Sequence, residues 1–241
     1  NTAVVTFDSG ETSSAVLEGF IIDNQFSNTE DRGISISNSS PTIKNTTITG
    51  NTAGATTGGA GIYINNGSPV IDNCQITKNI ATGFNGGGIY ITGAASGATI
   101  VDPTIGGSTV NKNTSDNGSA IYFNGPSTGT LSIDNSEISF NEANNAAGGI
   151  YLNSVDAGSL SINNNSDISS NRALNGGAIY LNNSSTIAAV ANSTIASNSS
   201  TAGNGGAIFV NNSALLVETS QIIQNSATGF SGGAIYITGA A

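Results

Sequence analysis

Seven aromatic residues of this chain fall on one beat. They are Tyr63, Tyr90, Tyr122, Tyr151, Tyr180, Phe209 and Tyr236, each directly after an isoleucine, and successive members lie 27 to 32 residues apart. All six tyrosines of the chain are among them. Side chains that return at such an interval mean that the chain coils, one turn per repeat, and stacks equivalent residues on one another. Ile62 and Ile64 share a parity, so both point inwards and Tyr63 points outwards. In the first segment of this kind Ser35 takes the aromatic position while Ile34 and Ile36 keep theirs.

Three apolar columns follow the beat. The first holds Ile34, Ile62, Ile89, Ile121, Ile150, Ile179, Ile208 and Ile235, most behind a Gly-rich entry such as GGAGIYI at 58–64 or GGAIYL at 176–181. The second holds Ile43, Ile71, Ile105, Ile133, Ile162, Val190 and Val217. The third opens an [Ile/Val]-x-x-Asn motif headed by Ile21, Ile48, Ile76, Val110, Ile138, Ile168, Ile195 and Ile222, and closed by Asn24, Asn51, Asn79, Asn113, Asn141, Asn171, Asn198 and Asn225. These asparagines read as a structural ladder. Three short β-branched stretches per repeat, bounded by Gly, Asn, Ser and Thr, predict an all-β fold, a three-sided parallel β-helix (a solenoid) of about eight coils with 27–34 residues per coil. Coils ~4.8 Å apart make a rod roughly 40 Å long with a row of rings along one side.

The second and third columns are five residues apart in every coil but one, where Asn163–Asn165 adds a residue. Asn45, Asn73, Asn135 and Asn192 dominate that short corner. Asparagine tolerates the left-handed backbone a tight corner needs, and stacked amides hydrogen-bond along the axis. The other two corners vary, and the longest insertion is expected at 92–102. Residues 1–32, with Asp8, Glu11, Glu18, Asp23, Glu30 and Asp31, read as an acidic first coil or edge. Residues 33–241 read as one continuous solenoid with an incomplete last coil. Residues 79–95 also match 225–241 at 14 of 17 positions, an offset of 146 residues or five coils. The expectation is either a segment of a longer array or a subunit completed by a neighbour, since solenoids need capped ends and open strand edges invite addition.

Charge narrows the function. Five Lys and Arg stand against 15 Asp and Glu, a net charge of -10. Nothing here neutralises a run of phosphates, so nucleic acid is excluded as a partner. An anionic membrane surface would repel the chain, and no run reaches the ~18 apolar residues of a membrane helix. One cysteine, Cys74, permits no intrachain disulfide.

The GGAI segments at Gly176–Ile179, Gly205–Ile208 and Gly232–Ile235, alternating with IxxN or VxxN, resemble the GGA[ILV] and FxxN tetrapeptide repeats of chlamydial polymorphic outer-membrane protein passenger domains. More broadly the whole chain is similar to the right-handed β-helix repeats of secreted bacterial and archaeal surface proteins. The resemblance implies a right-handed coil and an extracellular or cell-surface location.

Right-handed β-helices also include pectin-degrading enzymes, so catalysis needs testing against the residues. There is no histidine, which removes His-based acid–base chemistry. Glycosidases need two carboxylates facing one bond. Asp72, Asp134 and Glu218 share a column but lie two or more coils apart, with Gly106 between the first pair. Arg32 follows Glu30 and Asp31 in a turn, a surface ion pair rather than a proton acceptor. Arg172 falls in no recurring acidic cluster. Cys74 aligns with Thr46, Ser108, Ser136, Ser166, Ser193 and Ser220, all small, and reads as a buried stand-in for serine. No cofactor and no metal site is expected.

The leading expectation is a non-catalytic extracellular structural protein, a rod that polymerises head to tail with copies of itself into a surface fibre. The alternative is an adhesin that stacks glycans on the outward row Tyr63, Tyr90, Tyr122, Tyr151, Tyr180, Phe209 and Tyr236. A polysaccharide lyase or hydrolase ranks third.

Overall fold

The structure, a computed structural model, describes residues 3–24, 32–53, 58–106, 112–155, 159–185 and 187–239. Every regular element among them is a strand, and every pairing is parallel. One coil shows the path. Ile121–Asn124 lies in a first sheet, Leu131–Asp134 in a second, Glu137–Ser139 in a third and Glu142–Ala146 in a fourth, before Ile150–Asn153 re-enters the first. Among the described residues the first sheet has nine strands, the second and third eight each, and the fourth six. Like sits on like: Ile89, Ile121, Ile150 and Ile179 pair in sequence, and so do Ile133 with Ile162 and Ile138 with Ile168.

Period-2 alternation makes these strands one-sided. In Ile150–Asn153 the isoleucine and Leu152 are buried while Tyr151 and Asn153 are half-buried on the outer side. The inward Ile, Leu and Val residues of three sheets form one cluster along the axis. Each fully buried aliphatic side chain contributes about 1.5–3 kcal/mol, so the core is a repeated small increment rather than one large cluster.

The fourth sheet adds to the three strands per coil read from the sequence. Its strands turn only small residues inwards: Ala81, Ser115, Ala143, Ala146, Ala173 and Ser200 are all buried. The reason is the glycine pair that follows. A Cβ on Gly177 would lie 2.6 Å from the Ser199 backbone nitrogen, so the returning chain runs against the fourth sheet with no room for side chains. A strand with only small inward residues carries no apolar alternation to detect.

The short corner between the second and third sheets is left-handed as expected. Asn45, Asn73, Asn135 and Asn192 have φ of 50°, 46°, 43° and 49°. Asn73 donates to Asn45 Oδ1 at 2.8 Å, and Asn45 to Glu18 Oε1 at 2.8 Å.

Two registers differ from the sequence reading. In the coil after Ile89 the second-column residue is Ile100, paired with Ile71 and Ile133, whereas Ile105 pairs with Ile76 and Ile138 in the third column. Val110 and Ser108 lie outside the described residues, and the position of Cys74 is filled in this coil by Pro103. Part of the loop expected at 92–102 is therefore the strand Ala98–Val101, and Val101, not Gly106, separates Asp72 from Asp134. Ile100 to Ile105 and Ile105 to Val110 are both five residues, so spacing cannot choose between them. Gly106 does: a Cβ there would lie 1.9 Å from the Ser139 carbonyl oxygen, which fits only its place in the third sheet.

The first coil is shifted by one. Ile22, not Ile21, pairs with Ile48. Ile22 is 3% exposed and Ile21 76%, the face reversal a one-residue slip produces. Asn51 Oδ1, which a rung at Asn24 would reach, has no hydrogen-bond partner, so among the described residues the asparagine ladder begins at Asn51.

The remaining seven asparagines form that ladder. Asn79, Asn113, Asn141, Asn171 and Asn198 are fully buried. Each Nδ2 donates to the Oδ1 of the next, at 2.9–3.1 Å from Asn51–Asn79 through Asn198–Asn225. Each also donates back to the coil before it, as Asn141 does to the Ile105 carbonyl at 2.9 Å. The same Oδ1 atoms accept the backbone N–H of the asparagine below, as in Asn171 to Asn198 at 2.9 Å.

Asn141→Ala takes away the acceptor of the Asn113 backbone N–H and of one Asn113 Nδ2 hydrogen, and the donor to the Ile105 carbonyl, while Asn171 Oδ1 keeps only the backbone N–H of position 141. It should lower unfolding free energy by about 3–5 kcal/mol, seen as a lower urea midpoint at unchanged slope. Asn73→Gly, at an exposed left-handed corner, should stay within about 1 kcal/mol.

Candidate functional site

The aromatic row is built by the same local rule in every coil. Gly86, at φ +66°, turns the chain into the first sheet, and a Cβ there would lie 2.9 Å from Tyr90 Cβ. The strand then places Ile89 and Ile91 inside and Tyr90 outside. Parallel register puts Tyr63, Tyr90, Tyr122, Tyr151, Tyr180, Phe209 and Tyr236 directly over one another. All seven expected residues are thus brought together.

Their rings stack face to face. Successive centroids are 5.7, 5.2, 5.0, 4.9, 4.5 and 5.2 Å apart, and the planes stay within 7° to 17° except at Phe209–Tyr236, which tilts by 35°. Outward-pointing is not the same as exposed: Tyr122 is 6% exposed and Phe209 8%. From Tyr90 to Phe209 both faces of every ring lie against a neighbour.

Arg32 closes one end of the row. It was expected in a surface ion pair, but it is 6% exposed, and its Cζ lies 4.1 Å from the centre of the Tyr63 ring. Ser35 occupies the ring position in that coil, which leaves space that the guanidinium of the same strand fills. A cation over a ring face is attracted by the ring quadrupole. Glu30 and Asp31 lie outside the described residues. Arg32 is three residues from the repeat position it serves, so no periodic signal marks this contact.

A second amide ladder flanks the rings. Asn153, Asn182 and Asn211 each donate to the Oδ1 of the preceding member, starting at Asn124, at 2.8–2.9 Å. Burial raises the Tyr122 and Tyr151 phenols, and the Asn153 and Asn182 side chains oppose this in part. The closing Asn of IYLN and IFVN, visible in the sequence, was the available signal for this ladder.

Burial governs the phenols. It raises Tyr122, with the neighbouring Tyr151 and Tyr90 adding to the effect, and pushes Tyr151 up to about 12, with Tyr180 adding. Tyr90 and Tyr180 are raised by burial as well.

The charged groups lie apart from this row. Glu142 accepts from Lys112 and, at 2.6 Å, from Arg172 Nη1 on the fourth sheet, and these contacts, Lys112 foremost, hold its carboxyl below the usual range. Glu137 and Asp167 are register neighbours on the third sheet. Burial raises Asp167, Ser169 opposes that by hydrogen bonding, and the Glu137 charge adds to the rise. Asp72, Asp134 and Glu218 do not converge. Among the described residues no three His, Cys, Asp or Glu side chains are grouped to hold a metal ion. Cys74 is buried, bonds to the Asp72 carbonyl as Ser136 does to that of Asp134, and burial pushes its thiol up to about 11. A shallow polar hollow of about 230 Å³ lies at the corner lengthened by Asn163–Asn165, lined by Asn165, Asn192, Thr194, Thr219 and Gln221.

A family model for a right-handed β-helix region matches residues 14–105. No curated protein and no solved structure matches the chain. The match and the parallel coils together make this a right-handed parallel β-helix, the hand that parallel crossovers take in about 98% of cases.

The fold favours neutral phenols at Tyr90, Tyr122, Tyr151 and Tyr180, since their folded pKa values lie above the unfolded value of about 10. That contribution is complete below pH ~10 and is lost as pH rises through the folded values. In an alkaline titration, the tyrosinate absorbance of these four phenols should develop above pH ~10, together with loss of the far-UV strand signal. Tyrosinate absorbance that is complete near pH ~10 with strands intact would contradict the buried stack.

Proposed function

We propose that this β-helix repeat protein is a non-catalytic structural element, a stiff rod at the cell surface or outside the cell, whose coils also stack end to end between copies. The observation that carries this reading is axial continuity. The Ile columns, the asparagine ladder and the aromatic row run coil to coil through the described residues, so its most regular contacts link neighbouring coils. Low charge serves the same end: a ladder of identical residues stacks ionic groups on like charges, and neutral amides and rings avoid that repulsion.

The five-coil super-repeat supports stacking between copies. Ile235–Thr238 reproduces Ile89–Thr92 residue for residue, and Ile89–Thr92 pairs with like strands on both of its edges. A strand from another copy would meet the same complement. The resemblance to outer-membrane passenger repeats supports the surface location.

A glycan-binding role keeps one specific support, the row of tyrosine edges beside the Asn124–Asn211 amides. It does not keep face-on stacking, because the inner ring faces are occupied. Recognition would have to use hydroxyls and amides at the edge.

Sedimentation velocity over rising concentration, followed by electron microscopy, tests the structural reading. Rods that lengthen into filaments with a ~4.8 Å axial layer spacing are expected. A monodisperse monomer at the highest concentration would rule out end-to-end stacking. Glycan-array binding that disappears in Tyr151→Phe/Tyr180→Phe, with stability retained, would instead establish the edge-binding role.

A further inference from the structure

We propose that the polar hollow at the lengthened corner is a binding site for one neutral sugar unit. The site lies between the second and third sheets, away from the aromatic row, and the proposal stands without the structural reading.

The hollow exists because one corner carries an extra residue. In neighbouring coils a single left-handed residue turns the chain from the second sheet into the third, as Asn135, Asn192 and Thr219 do at φ of 43°, 49° and 48°. Here Asn164 and Asn165 do so together, at 53° and 62°. Asn164 keeps the ordinary role and donates to Asp134 Oδ1 in the coil before. Asn165 is the surplus residue. Its backbone N–H donates to the Asn192 carbonyl at 2.7 Å, so the wider corner sits directly before the narrower ones of the next two coils. The result is the hollow of about 230 Å³ lined by Asn165, Asn192, Ser193, Thr194, Thr219 and Gln221. Thr194 and Gln221 are register neighbours on the third sheet.

The side-chain bonding changes at the same place. Along this corner Asn45 donates to Glu18, Asn73 to Asn45 and Asn135 to Asp102. That run of bonds ends at Asn164. Among the described residues the side chains of Asn165, Asn192, Thr194, Thr219 and Gln221 have no hydrogen-bond partner in the chain. Ser193 is committed, donating to the Ala191 carbonyl at 2.8 Å. Five uncommitted polar side chains from three successive coils therefore line one space.

Their chemistry selects the ligand. Amides and hydroxyls both donate and accept, as does a ring bearing vicinal hydroxyls. Among the described residues no charged and no aromatic side chain lines the hollow, so an ion finds no counter-charge and an apolar ligand no surface to cover. Asp167, in register with Thr194, and Glu218, beside Thr219, further disfavour an anion. The volume is below the roughly 300–1,000 Å³ of pockets for drug-sized ligands and suits one pyranose. An open site that holds its ligand by hydrogen bonds alone binds in the millimolar range.

The test is NMR of the side-chain amides of the folded chain, titrated with methyl α-glucopyranoside, methyl α-mannopyranoside and methyl β-galactopyranoside. Glycerol, methyl glucuronide and glucosamine are the controls. At least one neutral glycoside should shift the Asn165, Asn192 and Gln221 amide signals saturably and leave those of Asn73 and Asn135 in place. Deleting Asn165 restores the five-residue spacing of the other coils, so it should keep the fold and abolish the response. Thr194→Val/Gln221→Ala leaves the corner backbone alone and should weaken binding several-fold. It decides the matter if far-UV circular dichroism shows the deletion unfolded. Tighter binding of the matching disaccharide assigns the site to a glycan chain and equal binding to a free sugar, and either supports it. No saturable shift with any neutral glycoside, an equal response to glycerol, tighter binding of glucuronide or glucosamine, or a response that survives in the folded variants would overturn the proposal. So would loss of the response in Tyr151→Phe, which would put the sugar on the aromatic row instead.

Discussion

The asparagine ladder is the constraint on which the rest of this rod depends. A primary amide has two donors and an acceptor, and burying them unpaired is costly. Here each amide is answered by an identical amide one coil away and by an isoleucine carbonyl one coil back. That solution works only if successive asparagines are superimposed. A slip of one residue would orphan the amides and also turn every isoleucine to solvent. The ladder thus fixes register in a structure whose apolar columns, mostly Ile with Leu and Val, would by themselves still admit a slip of two residues.

Register fixed at one corner propagates around the coil. The glycine pair after the fourth sheet has a similar role in close packing, since it lets the backbone return to the first sheet at contact distance. The strand after it then has one phase, with isoleucine inside and tyrosine outside. The aromatic row follows from these two requirements. Once formed it contributes on its own account, because stacked rings gain beyond the area they bury. Arg32 completes the row where Ser35 leaves a ring out.

Much of this was legible in residue order. The aromatic beat, the left-handed corner asparagines and the IxxN motif each reflect a requirement met by residue type, so they show in one dimension. What was less legible follows a pattern. The fourth sheet has only small inward residues, so it lacks alternation. Ile105 was placed in the wrong column because two five-residue spacings adjoin, and only the tight fit around Gly106 separates them. Ile21 and Ile22 are both isoleucine, and composition cannot say which one faces inwards. For the candidate site, the members of the row were evident, but their accessibility was not. Parity determines that Tyr122 points away from the core, while its burial comes from the rings above and below.

The sequence by itself determined the coil: a chain with identical residues every 27–34 positions has to superimpose them, and β-branched alternation makes the superimposed segments parallel strands. Only the tertiary structure decided what the outward face is. Ring-to-ring distance, the position of the guanidinium over Tyr63 and the enclosure of the inner phenols arise between coils, where residues about thirty positions apart meet. A row that in one dimension reads as a surface for binding is, in three, a stack whose members are chiefly one another's partners.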